Sequence, residues 1–357
     1  MGRAFCGEGA RVLREGRAPG LRAGELGARG SCVVACGRMP RGGFSWALRL
    51  VGPVLLLIVI ARMPDRAALG RVLASADLAP LAAALGLTAV NLGLKVERWR
   101  VLLRSRGLSY PTRRAWVAYL SSSYVGMLTP GRVGDALRAQ FLRHDLGVSY
   151  PEGFASVVMD RMCDLYVLVA FVMVGVYRLS SVVVGELAWV AGLGAVFAVL
   201  APLSLLIPGI AEAVVRRVFS RALGAGGEPG SVARFLEALR GLVGRPLFAA
   251  AAMTVGAFLV NYAQGFLLSR ALHLDISFFD IMSMMAIASL LGLIPISVSG
   301  VGVREGLFAL VFPALGFGVE EGVGLGLLIF ATMYLAPVMV GFVSWQVAPP
   351  PSGPTAG

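Results

Sequence analysis

The chain has 357 residues, of which 57% are hydrophobic and only 15% are charged, and its formal net charge at pH 7 is +12. A soluble domain usually has about 45–50% apolar and about 25% charged residues, so this composition excludes an ordinary soluble enzyme, a disordered chain and a disulfide-rich scaffold. Arginines in the cytoplasmic loops of a membrane protein explain the positive charge better than nucleic acid does, and we therefore expect no nucleic-acid partner.

The first 43 residues differ from the rest because they are basic and glycine-rich and contain no apolar run long enough for a signal sequence. They fit a disordered basic tail, or a translation start at Met39 rather than at Met1. A second disordered tail, rich in proline, is predicted for residues 347–357. No function is assigned to either tail.

Six segments of 17–24 residues are apolar enough to cross a membrane as helices. At 1.5 Å per residue, about 20 residues span the roughly 30 Å hydrocarbon core. The predicted spans are 44–61, 78–94, 154–177, 187–207, 246–268 and 322–345.

Two further apolar stretches, 115–128 and 279–298, are interrupted by proline and glycine. The first ends in Thr129-Pro130-Gly131, and the second contains Pro295 and is followed by Gly300. Each leads into an amphipathic stretch, at 134–142 and at 304–315. Proline ends a helix and glycine allows a turn, so each stretch is predicted to be a re-entrant helical hairpin, a structure that the bilayer tolerates only beside protein or a water-filled cavity.

The distribution of basic residues predicts the orientation. With a cytoplasmic N-terminus, 24 of the 32 basic residues lie on the cytoplasmic side and six on the outer side. This asymmetry predicts that both termini are cytoplasmic. The second half (187–346) then repeats the first half (44–177) upside down, with a broken segment at the matching position in each. Inverted repeats of this kind are typical of secondary transporters, whose substrate site lies where the halves meet.

Charged residues mark the first hairpin and the span that follows it. Asp135 and Arg138 follow Pro130, Gly131 and Gly134, and the predicted span 154–177 contains Asp160, Arg161 and Asp164. A charge at mid-depth costs about 2.5–3.5 kcal/mol, so these residues need partners or water. We predict that they line a polar cavity. The alternatives are a surface ion pair in a loop, a self-neutralising group near the membrane edge, and a structural lock between the span and the hairpin.

The second hairpin combines Pro295, Gly300 and Gly302 with Arg304 and Glu305. The N-terminus of its returning helix is expected to offer backbone donors to an anion, with Arg304 as a phosphate ligand. A close-packed turn with a surface Arg304–Glu305 pair is the alternative. The polar residues of the fifth span, Asn261, Tyr262 and Gln264, are expected to form interhelical hydrogen bonds.

These motifs together resemble a known family. Glu97-Arg98-Trp99, Pro130-Gly131-x-x-Gly134-Asp135-x-x-Arg138, Asp160-Arg161-x-x-Asp164 and Pro295…Gly300-x-Gly302-x-Arg304-Glu305 are similar to motifs of the lysylphosphatidylglycerol synthase transmembrane region, also called the flippase-like family. The likeness covers about residues 44–346. Family members usually have Glu where Asp135 and Asp160 stand here, and both departures keep the charge.

The resemblance implies translocation of a lipid. In bifunctional relatives this region moves an aminoacylated phospholipid to the outer leaflet, and a separate soluble domain synthesises it. That domain has no counterpart before Gly357, so lysyl transfer is not expected. Other relatives accompany glycosyltransferases or polyprenyl-lipid and hopanoid pathways.

We therefore predict an all-α polytopic protein of the inner or plasma membrane, with about six spans and two re-entrant hairpins in an inverted repeat. It is expected to move a lipid with a phosphate or sugar headgroup, and a glycosyltransferase or lipid-biosynthesis enzyme is a candidate partner. The alternatives are an intramembrane lipid-modifying enzyme that uses Asp160 and Asp164, and a non-catalytic scaffold. No cofactor or metal is expected, since His144 and His273 are isolated and no ATP-binding loop is present.

The expected headgroup contacts are Asp135, Arg138, Asp160, Arg161, Asp164, Arg304 and Glu305, and the expected helix breaks are Pro130, Gly131, Gly134, Pro295, Gly300 and Gly302.

Overall fold

The computed structural model describes residues 65–179, 230–293 and 300–349, together with residues 54 and 56–61 and single positions at 192, 196 and 200. All of them belong to one compact unit, residues 44–357. The regular elements of this described part are all helical, as predicted. They are α1 (Arg66–Ala74), α2 (Leu78–Arg104), α3 (Thr112–Leu128), α4 (Leu137–Leu146), α5 (Tyr150–Arg178), α6 (Ser231–Arg240), α7 (Arg245–Ala271), α8 (Phe278–Leu291), α9 (Val303–Val311) and α10 (Val319–Val347).

Three of the helices are long and apolar enough to cross a membrane. Helices α2 and α7 have 27 residues each and α10 has 29, which exceeds the roughly 20 residues that a bilayer requires. Helix α5 also has 29 residues, but Asp160, Arg161 and Asp164 interrupt its apolar surface. The predicted spans 44–61 and 187–207 lie mostly outside the described residues.

The predicted end of the second span was wrong. Helix α2 continues through Arg104, so the first ten residues of the predicted loop 95–114 are helical. The reason is tertiary: Arg98 and Trp99 are completely buried and bond to Asp160 and Ser156 of α5. The sequence analysis also did not predict helices α1 and α6.

The first broken segment ends where the sequence predicted, whereas the helix of the second ends seven residues before the predicted bound at 298. Helix α3 ends at Leu128, and a 3₁₀ segment, Pro130–Ala136, leads into α4. Helix α8 ends at Leu291 and α9 begins at Val303. Gly300 (φ 76°) and Gly302 (φ 85°) adopt left-handed backbone conformations that favour glycine. Pro295 lies outside the described residues.

At the first break, the backbone of the 3₁₀ segment packs closely against the backbone of α3. The Gly134 N–H donates to the Thr129 hydroxyl at 2.9 Å. A Cβ atom at Gly134 would lie 2.4 Å from the backbone nitrogen of Gly126 and 2.4 Å from the carbonyl carbon of Val125. Only glycine therefore lets the 3₁₀ segment fold back onto α3.

The turn between α2 and α3 is anchored to α4. The Tyr110 hydroxyl donates to Asp145 at 2.7 Å, and the Tyr110 ring meets Trp99 edge-on with centroids 5.8 Å apart. Burial and the Asp145 carboxylate raise the pKa of Tyr110. These contacts hold the turn that precedes α3 against α4 and against the C-terminal part of α2.

Corresponding helices in the two halves have similar lengths and exchange contacts. Helix α2 packs against α7, α5 packs against α8, and α10 packs against α3. Glycine allows close approach in the α5–α8 and α10–α3 contacts. A Cβ atom at Gly175 would lie 3.1 Å from Ser283 Cα, and one at Gly341 would lie 2.7 Å from the Leu120 carbonyl oxygen. The final helix of each half thus lies against the broken segment of the other half.

Two of the arginines that were counted as cytoplasmic loop charges are buried. Arg98 and Arg138 are both 0% exposed, so they do not contribute to the charge asymmetry that predicted the orientation. The remaining asymmetry has the same sign, and the orientation stays a prediction.

We expect Gly134→Ala to destabilise the protein by about 1–3 kcal/mol, because the new methyl group would overlap backbone atoms of α3. Gly86→Ala is the matched control: it lies within α2 with open space around its Cβ position, and alanine favours a helix over glycine by about 0.5–1 kcal/mol. Thermal unfolding in detergent measures both variants. Equal melting temperatures for Gly134→Ala and the wild type would contradict the close approach.

Candidate functional site

A cavity of about 530 Å³ lies between the helices, and both helix breaks line it. Thr129 and Arg132 line it from the first break, and Gly300 and Arg304 line it from the second. The remaining walls come from α2, α3, α5, α7, α8 and α10. The two breaks, which are about 170 residues apart in the sequence, therefore meet at one site.

Behind one wall of the cavity lies a buried group of charges centred on Asp160. Arg98 Nε donates to one carboxylate oxygen of Asp160 at 2.7 Å, and Arg138 Nη1 donates to the other at 2.8 Å. All three side chains are fully buried. The guanidinium of Arg138 also lies over the Tyr119 ring, 4.7 Å from its centroid. This cation–π contact further stabilises the buried positive charge of Arg138.

Arg161 and Asp164 extend this group to the cavity surface. Arg161 pairs with Asp135 of the 3₁₀ segment at 2.8 Å and with Asp164 at 3.1 Å. Asp164 also accepts a hydrogen bond from Arg98. The group contains three arginines and three aspartates, so its formal charges cancel. It joins α2, the 3₁₀ segment, α4 and α5, and we refer to it below as the ion-pair network.

The second break is built differently, from a local pair. Arg304 Nε and Nη2 donate to one oxygen of the Glu305 carboxylate at 3.1 and 2.5 Å, and the other oxygen accepts the Gly302 N–H at 2.6 Å. The pair is buried, unlike the surface pair that the sequence analysis gave as the alternative. The Gly302 amide at the start of α9 is occupied by Glu305 and is not free for an anion. The expectation that this helix N-terminus and Arg304 bind an anion stays a prediction.

Helices α2 and α7 are joined by a stripe of polar side chains. Gln264 donates to the Thr88 hydroxyl at 2.9 Å, and Asn91 donates to Asn261 at 2.9 Å. Arg98 donates to Thr254 at 3.0 Å. Residue numbers rise along α2 as they fall along α7, so the two helices are antiparallel. Interhelical hydrogen bonding by Asn261 and Gln264 is confirmed.

Tyr262 does not follow this pattern. Its side chain is 1% exposed and lines the cavity, but its hydroxyl has no hydrogen-bond partner among the described residues. A buried hydroxyl without a partner is unfavourable. It is therefore available to a polar atom of a molecule inside the cavity.

A π-helical segment, Ala331–Leu335, interrupts α10 beside the cavity. Two residues later Pro337 lacks the N–H that an α-helix requires at this point. Tyr334 of this segment lies under the Arg304 guanidinium, 5.1 Å from its ring centroid. Such π segments inside helices occur frequently at functional sites.

The structure brings some of the predicted site residues to the cavity and leaves others behind its wall. Arg161, Asp164, Arg304 and Gly300 line the cavity. Four residues are buried and lie outside the lining: Asp135, Arg138, Asp160 and Glu305. Gly134 and Gly302 shape the two breaks.

The sequence analysis assigned no site role to three residues at or near the cavity: Lys95, Arg132 and Arg98, the last of which appeared only in the Glu97-Arg98-Trp99 motif. Asn91, Lys95 and Arg98 follow the i, i+4, i+7 spacing of one helix face. That spacing is the signal that α2 continues beyond its last apolar residue and carries polar groups inward.

Comparison with known proteins gives a consistent picture. A family model described as "Lysylphosphatidylglycerol synthase TM region" matches residues 45–341. A "Glycosyltransferase AglD" of Haloferax volcanii is 26% identical over 300 residues, which is 73% of this chain and 47% of that protein. A "UPF0104 membrane protein" of Methanothermobacter thermautotrophicus is 25% identical over 283 residues, 72% of this chain and 80% of that protein. The chain thus spans about half the length of the first relative and most of the second.

We expect Asp160→Asn to destabilise the protein by about 3–5 kcal/mol, because it leaves Arg98 and Arg138 buried without a full counter-charge. Asp275→Asn is the control. Asp275 pairs with Arg270 at 2.8 Å on the surface, where an ion pair contributes about 0–1 kcal/mol. The melting temperature in detergent separates the two cases. If both variants melt like the wild type, the ion-pair network does not stabilise the fold.

Proposed function

The chain belongs to the lysylphosphatidylglycerol synthase TM region family, and on that premise we propose that it is a membrane protein that moves a lipid headgroup across the bilayer through its central cavity. The observation that carries this proposal is the lining of a single charged cavity by both helix breaks. A relative named as a glycosyltransferase supports a setting in lipid or glycolipid biosynthesis, with an enzyme of such a pathway as the candidate partner.

The cavity suits the physical problem of lipid translocation. A headgroup that enters hydrocarbon loses its water, and each charged group then costs several kcal/mol. Arg161, Asp164 and Arg304 supply charges at the cavity surface, where they replace that water while the acyl chains stay in lipid. We assign Asp135, Arg138, Asp160 and Glu305 the supporting task of holding these arginines and the two breaks in position.

We further propose the predicted inverted repeat, with six spans and two re-entrant hairpins entering from opposite sides. The antiparallel pairing of α2 with α7 supports it. So do the equal lengths of α2 and α7 (27 residues) and of α5 and α10 (29 residues). In this arrangement both termini are cytoplasmic and the cavity lies near the middle of the cell membrane.

An intramembrane enzyme with Asp160 and Asp164 as metal ligands is less well supported. Both oxygens of each carboxylate already contact an arginine, which leaves little capacity for Mg²⁺ and substrate phosphates. A passive scaffold would gain nothing from a cavity with charged lining residues between two broken segments.

The test is leaflet exchange in liposomes that contain fluorescent lipids with different headgroups. We expect the wild type to exchange at least one lipid, and Ser289→Trp to reduce the rate to that of protein-free liposomes, because Ser289 lines the cavity and an indole would fill part of it. Leu310→Trp is the control, since Leu310 is 66% exposed on α9 and lies outside the lining.

Mass spectrometry of the lipids in the same experiment separates the alternatives. A new lipid species would indicate an enzyme, and neither exchange nor modification would indicate a scaffold. Equal exchange by Ser289→Trp and the wild type would rule out this cavity as the route.

The re-entrant arrangement has its own test. In a chain without its four cysteines, single cysteines at Val133 and Val301 lie in the two breaks. We expect a membrane-impermeant thiol reagent to label them from opposite sides of sealed vesicles. Labelling of both from the same side would refute the inverted hairpins.

A further inference from the structure

We propose that Lys95 and Arg132 form the anion-binding site of the cavity, and that the substrate is therefore a lipid with a phosphate-bearing, negatively charged headgroup. The two residues come from different elements, α2 and the 3₁₀ segment of the first break, and both line the cavity. The identification of the ligand as a lipid rests on the proposed function; the anion site itself rests on the charges described next.

The first argument is the charge balance of the cavity lining. Arg161 and Asp164 belong to the neutral ion-pair network, and Arg304 is neutralised by Glu305. Within the described residues, no carboxylate forms an ion pair with Lys95 or Arg132, and no hydrogen bond engages either cation. Two positive charges at the cavity therefore lack an ion-pair partner in the part of the chain that the structure describes.

The position of Lys95 explains why it has no partner among the described helices. It lies between Asn91 and Arg98 on the polar stripe of α2, and both of those residues bond across to α7. The residues of α7 at the level of Lys95 are Ala257 and Phe258, whose side chains offer no acceptor. Lys95 itself is partly exposed and lines the cavity.

Neighbouring charges make this position favourable for an anion. Asp164 attracts Lys95, but Asp164 is already bound by Arg98 and Arg161, and these two arginines together with Arg132 oppose the charge of Lys95. A partly buried ammonium needs a counter-charge to offset its lost hydration. A phosphate that lies between Lys95 and Arg132 supplies that charge.

Arg132 supplies the second cation of the lining, from the first break. Arg132 has φ 55°, in the left-handed region that non-glycine residues rarely adopt. Its guanidinium is exposed and lines the cavity, and a guanidinium matches phosphate oxygens in a bidentate manner. The Tyr262 hydroxyl, which lies in the same lining and has no partner in the described part of the chain, adds a neutral donor for the remainder of the headgroup.

Lys95 is the only lysine in the sequence, which makes a direct test possible. The purified protein in a neutral detergent is acetylated with an amine-reactive ester, and the peptide that carries Lys95 is quantified by mass spectrometry. We expect dihexanoyl phosphatidylglycerol at ten times its dissociation constant to slow acetylation about tenfold, because about nine-tenths of the sites are then occupied. An uncharged dihexanoyl glucosyl lipid should not protect.

Inorganic phosphate is the third probe. Protection by inorganic phosphate at the same concentration as the lipid would assign the site to the free anion and overturn the lipid part of the inference. Equal acetylation rates under all conditions would overturn the site itself.

Variants provide the second readout. Lys95→Met should weaken binding of the phosphate lipid about tenfold, as expected for the loss of one charged hydrogen bond, and Lys95→Arg should restore most of it. The control is Arg104→Gln, which removes a positive charge from the same helix at a half-exposed site outside the lining. If Lys95→Met and Arg104→Gln bind the lipid equally well, Lys95 is not a ligand.

Binding and transport can fail separately. Protection of Lys95 without leaflet exchange would contradict the transport proposal and support the anion site. Exchange of anionic lipids at the same rate by Lys95→Met and the wild type, without protection, would contradict the anion site and leave the transport proposal intact.

Discussion

The carboxylate of Asp160 lies between two guanidinium groups in a part of the protein that excludes water, and the first half of the fold depends on this arrangement. Arg98 reaches it from α2 and Arg138 reaches it from α4, so one aspartate on α5 fixes three helices. Buried ions are favourable only when each has its counter-charge. The network therefore determines where the first break can lie relative to α5, and it places Arg161 and Asp164 at the cavity surface.

The second break is supported by different contacts from the first. Its break has no charged partner on a neighbouring span among the described residues; Glu305 instead binds Arg304 and the start of its own helix. Close approach of backbones replaces the long-range ion pairs. A Cβ atom at Gly322 would lie 2.9 Å from the Phe308 carbonyl oxygen, and one at Gly326 would lie 3.0 Å from Glu305 Cγ. The first break is thus supported by ion pairs between helices, and the second by a local ion pair and close backbone packing.

The sequence was sufficient to predict the features that local chemistry determines. Proline and glycine marked both breaks, and charges within an apolar run marked α5 because they need partners. It did not indicate which arginine would meet Asp160, since Arg98 lies beyond the apolar part of α2 and becomes helical only through tertiary contacts. Lys95 was overlooked for the same reason. The π segment of α10 and the left-handed backbone of Arg132 depend on packing that no short motif records.

Helix α10 touches both broken segments. Before its π segment, Gly322 and Gly326 hold α9; after it, Gly341 lies against Leu120 and Tyr124 of α3. A helix of 29 residues is about 44 Å long, so α10 contacts both breaks and carries its π segment between them, where Tyr334 meets Arg304. A headgroup that displaced Arg304 from Tyr334 would act on the π segment of α10. Because the same helix packs against α3, the displacement would also reach the first break.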